Sequence, residues 1–385
     1  MSDSRREIPF GKPIIEENER NAVLAVLGGT QLVHGPLAKQ FERDFEAFMG
    51  DGYSISVASC TAALHLAYFH LGIGAGDEVI VPAQTHVATA HAVEFTGAKP
   101  VFVDAEKETG NIDIDQIRDA VTERTRAISL VHYLGLPVNM DRVNAIAAER
   151  DLFVVEDCAL AIGSRYKGVH TGLLGDLGAF SFYPVKHMTT AEGGMFVTRH
   201  EDIKESVERK KAFGLDRTVT ERKMPGIYDV TMLGFNYRMN ELEAALGIEQ
   251  LKRVPGFLAK RRDNAKALRR GLAEIGEVET LADGDGVREH SNYCINAVLD
   301  DQTGARRPAI VDYLRGRGVG TSVYYPRAVP QMSYYKQKYG FADDAFPVAE
   351  RISRQSIALP VGPHLDEDDM SYIATELKQA IKGTK

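Results

Sequence analysis

The chain has 385 residues, of which 44% are hydrophobic and 26% charged, and its formal net charge is −8. That length can build one large domain with a smaller one attached, or two comparable domains, and the acidic balance, without a long Lys/Arg run, argues against nucleic acid or an anionic membrane as the principal partner. Three widely spaced cysteines, Cys60, Cys158 and Cys294, supply neither a disulfide framework nor a CxxC pair, which makes a reducing, cytoplasmic setting the default.

The start, Met1 to Arg6, is polar, so no secretory signal is expected, and no apolar run approaches the ~18 residues of a membrane span. From Tyr53 to Thr198 short β-branched runs alternate with helix-length segments. The pattern predicts strands at Ser54–Val57, Glu78–Val81, Pro100–Val103, Ala127–Val131 and Leu152–Val155. Between them it predicts helices at Thr61–Leu71, Val87–Phe95, Ile114–Val121 and Arg142–Glu149. Such alternation predicts an α/β fold: a large domain with a central, mostly parallel sheet flanked by helices. Ligands in such sheets sit beyond the carboxyl ends of strands, so the residues just after each strand are the ones to inspect.

After the first strand comes Ala58-Ser59-Cys60-Thr61-Ala62, small residues opening a helix. They read either as a plain Ser/Thr N-cap or as a phosphate cradle of free backbone amides. After the second strand, His86 stands where a flat ring could stack on a flat ligand, or serves structure alone. After the fifth strand, Asp157 is either a helix cap or a buried carboxylate holding a proton on a ring nitrogen, as pyridoxal phosphate requires.

The stretch Ser181 to Gly194 lies between strand-like runs at Ala179–Tyr183 and Met195–Thr198. It sets Lys186 among apolar and small residues, where burial lowers a lysine's pKa and frees its amine to attack a carbonyl. Further on, Gly234-Phe235-Asn236-Tyr237-Arg238-Met239 precedes a helical run to Leu251. Beyond Val254-Pro255-Gly256, helix Ile310–Gly316 and strand Thr321–Tyr325 read as a smaller C-terminal α/β domain. The expected division is 1–255 and 256–385, with about the first 30 residues placed against the smaller part.

No two of the eleven histidines are three or four residues apart, so no helix offers a two-histidine metal face. Asp283-Gly284-Asp285-Gly286 has the look of a calcium loop, but Cys294 stands where a bidentate glutamate is needed, and the run reads as a surface turn.

A small-residue cradle, an acid ending a strand, a lysine after Ser-Phe-Tyr-Pro and a Gly-Phe-Asn-Tyr-Arg-Met loop stand here in one order. Together they resemble the DegT/StrS-type sugar aminotransferases, which use pyridoxal 5′-phosphate and share the aspartate aminotransferase fold. The resemblance runs from Ile8-Pro9-Phe10 to Leu359-Pro360-Val361-Gly362-Pro363-His364. Its most specific part is Gly175-Asp176 through Lys186 to Glu192-Gly193-Gly194.

By that resemblance Lys186 is the Schiff-base lysine and Asp157 the partner of the pyridine nitrogen. Ser59, Cys60, Thr61 and Ser181 are phosphate ligands, and His86 takes the ring-stacking position usually held by Phe or Trp. Asn236 corresponds to a residue that reaches the phosphate from a neighbouring subunit, which implies a homodimer. The implied reaction is a ping-pong transfer, by way of pyridoxamine 5′-phosphate, from glutamate to a keto-sugar, expected to be a nucleotide-linked 4-keto-6-deoxyhexose. Arg238, Tyr324, Tyr325 and Arg327 are the expected substrate contacts.

Two positions depart from the family pattern: Cys60 replaces a frequent glycine, and Leu160 stands where Gln or His is usual. Three other readings stay open. A sugar dehydratase of this family carries histidine at the lysine position, so the order Lys186-His187 weighs against it. A regulatory homologue would keep the fold without turnover. A transaminase for a cyclitol or free keto-sugar acid is not distinguished by any motif.

Overall fold

The computed structural model describes residues 6–216, 224 and 226–384. Helices α1 (Glu17–Leu27) and α2 (Pro36–Met49) precede a βα alternation: β1 (Tyr53–Val57), α3 (Cys60–His70), β2 (Glu78–Pro82), α4 (Val87–Phe95), β3 (Lys99–Val103), α5 (Ile114–Ala120), β4 (Thr125–Val131), α6 (Met140–Arg150) and β5 (Phe153–Asp157). A short hairpin, β6 (Arg165–Tyr166) and β7 (Val169–His170), leads to β8 (Leu177–Ser181), β9 (Gly194–Thr198), α7 (Glu201–Lys210) and the long α8 (Glu241–Leu272). The remainder comprises β10 (Val278–Thr280), β11 (Arg288–Glu289), β12 (Ile295–Leu299), α9 (Asp301–Gly304), α10 (Arg307–Gly316), α11 (Ser333–Tyr339), α12 (Pro347–Gln355), β13 (Ser356–Leu359) and α13 (Glu367–Gly383).

The strands from β1 to β9, without the hairpin, form one sheet in the order β1-β9-β8-β5-β4-β2-β3. Strands such as β2 and β8 are buried along their whole length, as expected where helices cover both faces. On one face α3 is itself buried almost all round, from Ala62 through Tyr68, so it needs apolar residues on every side. The β2, β3, β4, β5 and β8 pairings are parallel, whereas β9 runs antiparallel to both β1 and β8. The reason is the connection: no crossover helix separates β8 from β9, and only a crossover can restore the parallel direction. The loop 182–193 is therefore a return at the sheet's carboxyl edge, beside the ends of β1, β2 and β5.

A smaller antiparallel sheet, β10-β12-β13, packs through Ile295, Ala297, Ile357 and Leu359 on Ala265 and Leu268 of α8 and on Ile310, Ile373 and Leu377. Ile8 joins this core and exchanges backbone hydrogen bonds with Gly318 and Gly320. The expected division near Val254-Pro255-Gly256 does not coincide with a loop. Helix α8 continues through Pro255 because both halves have a core to fill: Leu251 and Val254 pack against the large sheet's cluster, Ala265 and Leu268 against the small one.

The strand expected at Thr321–Tyr325 also does not form. Only Ser322 pairs, with Ala358, and the carbonyl of Tyr324 accepts instead from the Tyr133 hydroxyl and from Gln84 Nε2. At Asp283 to Gly286 the chain makes a turn whose Asp285 carboxylate accepts from the amides of Val287 and Arg288 and from the Arg288 side chain.

The two parts are joined by a cap supplied across the chain. Buried Asp104, just past β3, accepts from the amides of Val348 (3.0 Å) and Ala349 (2.8 Å) at the start of α12, two donors with no partner inside the helix. Asp104→Ala should lower the unfolding free energy by about 2 kcal/mol, read from urea denaturation. An unchanged midpoint would contradict this role.

Candidate active site

The carboxyl edge of the large sheet holds a cavity of about 330 Å³ bordered by Ser59, Cys60, Thr61, His86, Asp157, Leu160, Ser181, Lys186 and Tyr325. Ser59 is the N-cap of α3, its hydroxyl accepting from the Ala62 amide at 3.1 Å. Capping and cradle are thus compatible, because Cys60 and Thr61 at the first two helical positions have no acceptor within the helix. Their amides form an anion-binding end. The cradle depends on Gly194: a Cβ there would lie 2.6 Å from the Cys60 nitrogen and 2.5 Å from the Ser59 carbonyl carbon.

Asp157 ends β5, is 3% exposed and borders the cavity. Its Oδ1 accepts from the Ala159 amide at 3.0 Å, and its Oδ2 from the Thr89 hydroxyl at 2.8 Å. Thr89 in turn lies 2.7 Å from the Thr85 hydroxyl. The Cys60 sulfur stands 3.9 Å from Oδ1, and burial together with the Asp157 charge pushes that thiol's pKa up, so it stays protonated.

Lys186 borders the cavity from the β8–β9 loop. Its side chain is half-buried because it lines open space, yet the amine lies deep in the protein. Desolvation pushes its pKa down, partly offset by Cys60, Asp157 and Cys294. His187, next in sequence, faces the other way: its Nε2 donates to the Ser291 carbonyl (3.1 Å), and its ring borders a different, much smaller cavity.

The model of the DegT/DnrJ/EryC1/StrS aminotransferase family matches residues 13–378. The chain belongs to that family. It is 34% identical over 381 residues to the spore coat polysaccharide biosynthesis protein SpsC of Bacillus subtilis, covering 98% of this chain and 97% of that one. It is 33% identical over 374 residues to GDP-perosamine synthase of Escherichia coli O157:H7, with 97% and 98% covered. Among solved structures, Spr1654 of Streptococcus pneumoniae in its PMP form superposes with a TM-score of 0.93 at 29% identity, over 98% of this chain and all of that one.

The protein is therefore a pyridoxal 5′-phosphate-dependent aminotransferase with the expected α/β fold, and Spr1654 has been solved in both PLP and PMP forms. The cavity suits that cofactor in its donor set. It offers an anion-binding helix start for the phosphate, a buried carboxylate for the ring nitrogen and a desolvated amine for the aldehyde.

His86 meets the site in a double capacity. Its Nδ1 accepts from the Ala88 amide (3.2 Å) as the N-cap of α4, while its ring borders the cavity edge-on to Tyr325, centroids 5.8 Å apart. Of the expected substrate contacts only Tyr325 borders this cavity. Tyr324 pairs its hydroxyl with that of Tyr293 (2.6 Å), and Arg327 is exposed. Asn236 is exposed, and Arg238 lines a separate groove of about 610 Å³ with Lys39 and Lys211. There the Arg238 guanidinium covers the Phe213 ring at 4.9 Å, and its Nε has no hydrogen-bond partner.

Sequence reasoning missed Thr85, Thr89 and Tyr293. The two threonines had a faint signal, since they sit four residues apart around a helix start; Tyr293 had none. Glu156, beside Asp157, accepts from His132 and from the amides of Gly172, Leu174 and Gly175. Grouped with Cys158 these side chains have metal-ligand chemistry, but the carboxylate is fully engaged in fixing the end of β5.

Thr89→Val keeps the shape of the side chain and removes a donor to Asp157. A hydrogen bond to a charged group is worth about 1.5–3 kcal/mol, so the fold should lose stability of that order, and kcat should fall by about 10-fold or more because the Asp157 oxygens are no longer fixed. A variant with unaltered turnover would remove Thr89 from the site.

Proposed function

We propose that the protein moves an amino group from glutamate to a nucleotide-linked keto-sugar by a ping-pong cycle, in the sharpest form of the reading to a 4-keto-6-deoxyhexose. The observation behind the transfer is a desolvated lysine amine and a buried carboxylate bordering one cavity. Relatedness to GDP-perosamine synthase over 97% of the chain supports the sugar and nucleotide assignment.

When bound, the cofactor supplies an electrophilic aldehyde and an electron sink. In this reading Nζ of Lys186 holds it at rest and, once displaced by the incoming amine, takes the α-proton of glutamate. In the second half-reaction the same nitrogen delivers a proton to the carbon that bore the keto group. Asp157 would keep the proton on the ring nitrogen, and the Thr89 and Ala159 donors fix which way its oxygens face. Ser59, Cys60, Thr61 and Ser181 would hold the phosphate, through hydroxyls and the free amides at the start of α3. His86 flanks the ring, its own plane fixed by the bond to the Ala88 amide.

That Lys186 and not His187 borders the cavity favours transamination over dehydration. Asn236 and Arg238 do not border the protomer's own cavity, although their loop runs beside it, with the Tyr237 carbonyl accepting from the Ala58 amide; this supports a homodimer in which the loop completes the partner's site, and a monomeric mass in sedimentation would refute it. Tyr325 reaches the substrate directly, whereas Arg238 does so from across that interface.

Borohydride reduction should fix the cofactor to Lys186, detected by peptide mass spectrometry, and Lys186→Ala should lose both the adduct and amino transfer. Enzyme loaded with pyridoxamine 5′-phosphate should regain the pyridoxal spectrum with nucleotide-linked keto-sugars. A return only with cyclitol ketones or free keto-sugar acids would replace the substrate assignment, and a visible band that glutamate does not bleach would indicate a regulatory protein.

A further inference from the structure

Tyr293 lies 3% exposed with the face of its ring toward Lys186, whose Nζ is 5.2 Å from the ring centroid. That is within the range at which a cation is attracted to an aromatic face. The ring is held at three points. Its hydroxyl pairs with that of Tyr324 at 2.6 Å, its backbone amide donates to the Leu134 carbonyl at 3.1 Å, and its carbonyl accepts from Arg261 Nη1 at 2.8 Å.

Arg261 is unusual in its own right. It is 6% exposed, and among the described residues no carboxylate pairs with it; its Nη1 is given to the carbonyls of Asn292 and Tyr293. A buried guanidinium without a counter-charge is costly, and here it is committed to one short segment. Asn292 within that segment has a left-handed backbone, φ +53°, a turn conformation that asparagine adopts readily. A buried cation and a left-handed turn thus fix the segment that presents this ring to the amine.

We infer that Tyr293 is a positioning residue for Lys186, its ring face receiving the ammonium whenever the amine is free of the cofactor and keeping it beside the reacting atoms. This rests on the reading of Lys186 as the proton carrier. The other groups facing the amine are Cys60, Asp157 and Cys294, with His86 and His187 near by. Both cysteine thiols are pushed up by burial and stay neutral. Asp157 is then the formal charge opposite the ammonium, and Tyr293 the polarisable face.

The experiment uses cofactor-free full-length protein, so that its readout does not depend on turnover. Lys186 is acylated with limiting acetic anhydride across a pH series, and its labelling is followed by peptide mass spectrometry. A ring face favours the ammonium, so Tyr293→Leu should lower the labelling midpoint by about 0.5–1 pH unit, and Tyr293→Phe, which keeps the face, should restore it. Stepwise fluorinated phenylalanines at position 293 preserve shape while weakening the negative face, and should lower the midpoint in step with fluorine number. In the loaded enzyme Tyr293→Leu should reduce kcat with little change in KM. A midpoint indifferent to fluorination overturns the inference while leaving the aminotransferase reading intact; absence of a borohydride adduct at Lys186 in the loaded wild type overturns that reading instead.

Discussion

Between Ser181 and Gly194 the chain leaves the large sheet and comes back antiparallel, without the crossover helix used between its parallel neighbours. Everything at the site follows from that return. It keeps the loop at the carboxyl edge, where Lys186 enters a cavity already bordered by the starts of α3 and α4 and by the end of β5. It also sets the amine deep enough for desolvation to outweigh the attraction of Asp157. The return is itself constrained at Gly194, which passes the Ser59–Cys60 backbone so closely that a side chain has no room.

Around this loop the protein invests buried polar groups in orientation. Asp157 is aimed by Thr89 and the Ala159 amide, and Glu156 beside it is fixed by His132 and three backbone amides. Each group is satisfied, which is what makes such burial tolerable. The smaller sheet contributes through the segment after α10. The Tyr324 carbonyl is anchored by Tyr133 and Gln84 of the large part, and Tyr325 is thereby delivered to the cavity. Tyr325, the one expected substrate contact that borders the cavity, is thus set by contacts between the two parts.

The two departures from the family pattern fall on opposite sides of this arrangement. Cys60 keeps its backbone amide available at the head of α3, and its thiol adds a weak donor toward Asp157. Leu160 is buried and lines the cavity with a purely apolar surface. Where a polar side chain would hydrogen-bond a ring substituent, this protein offers packing alone, and any such bond must come from elsewhere in the cavity.

The sequence by itself determined the βα alternation and the carboxyl-edge location of the chemistry, and it raised Lys186, Asp157 and the Ser59–Thr61 run as candidates there, which the family resemblance singled out as site residues. All of these are local signals: periodicity, caps and the residues just after strands are set by neighbours within a few positions. The family resemblance added the cofactor and the reaction. Only the tertiary structure decided what depends on partners far along the chain. Helix α8 runs through Pro255 because two separate cores hold its two halves, and Thr321–Tyr325 gives up a strand because Tyr133 and Gln84 claim its carbonyl. Thr89 and Tyr293 meet Asp157 and Lys186 across 68 and 107 positions, a distance over which no local pattern of apolar and polar residues holds information.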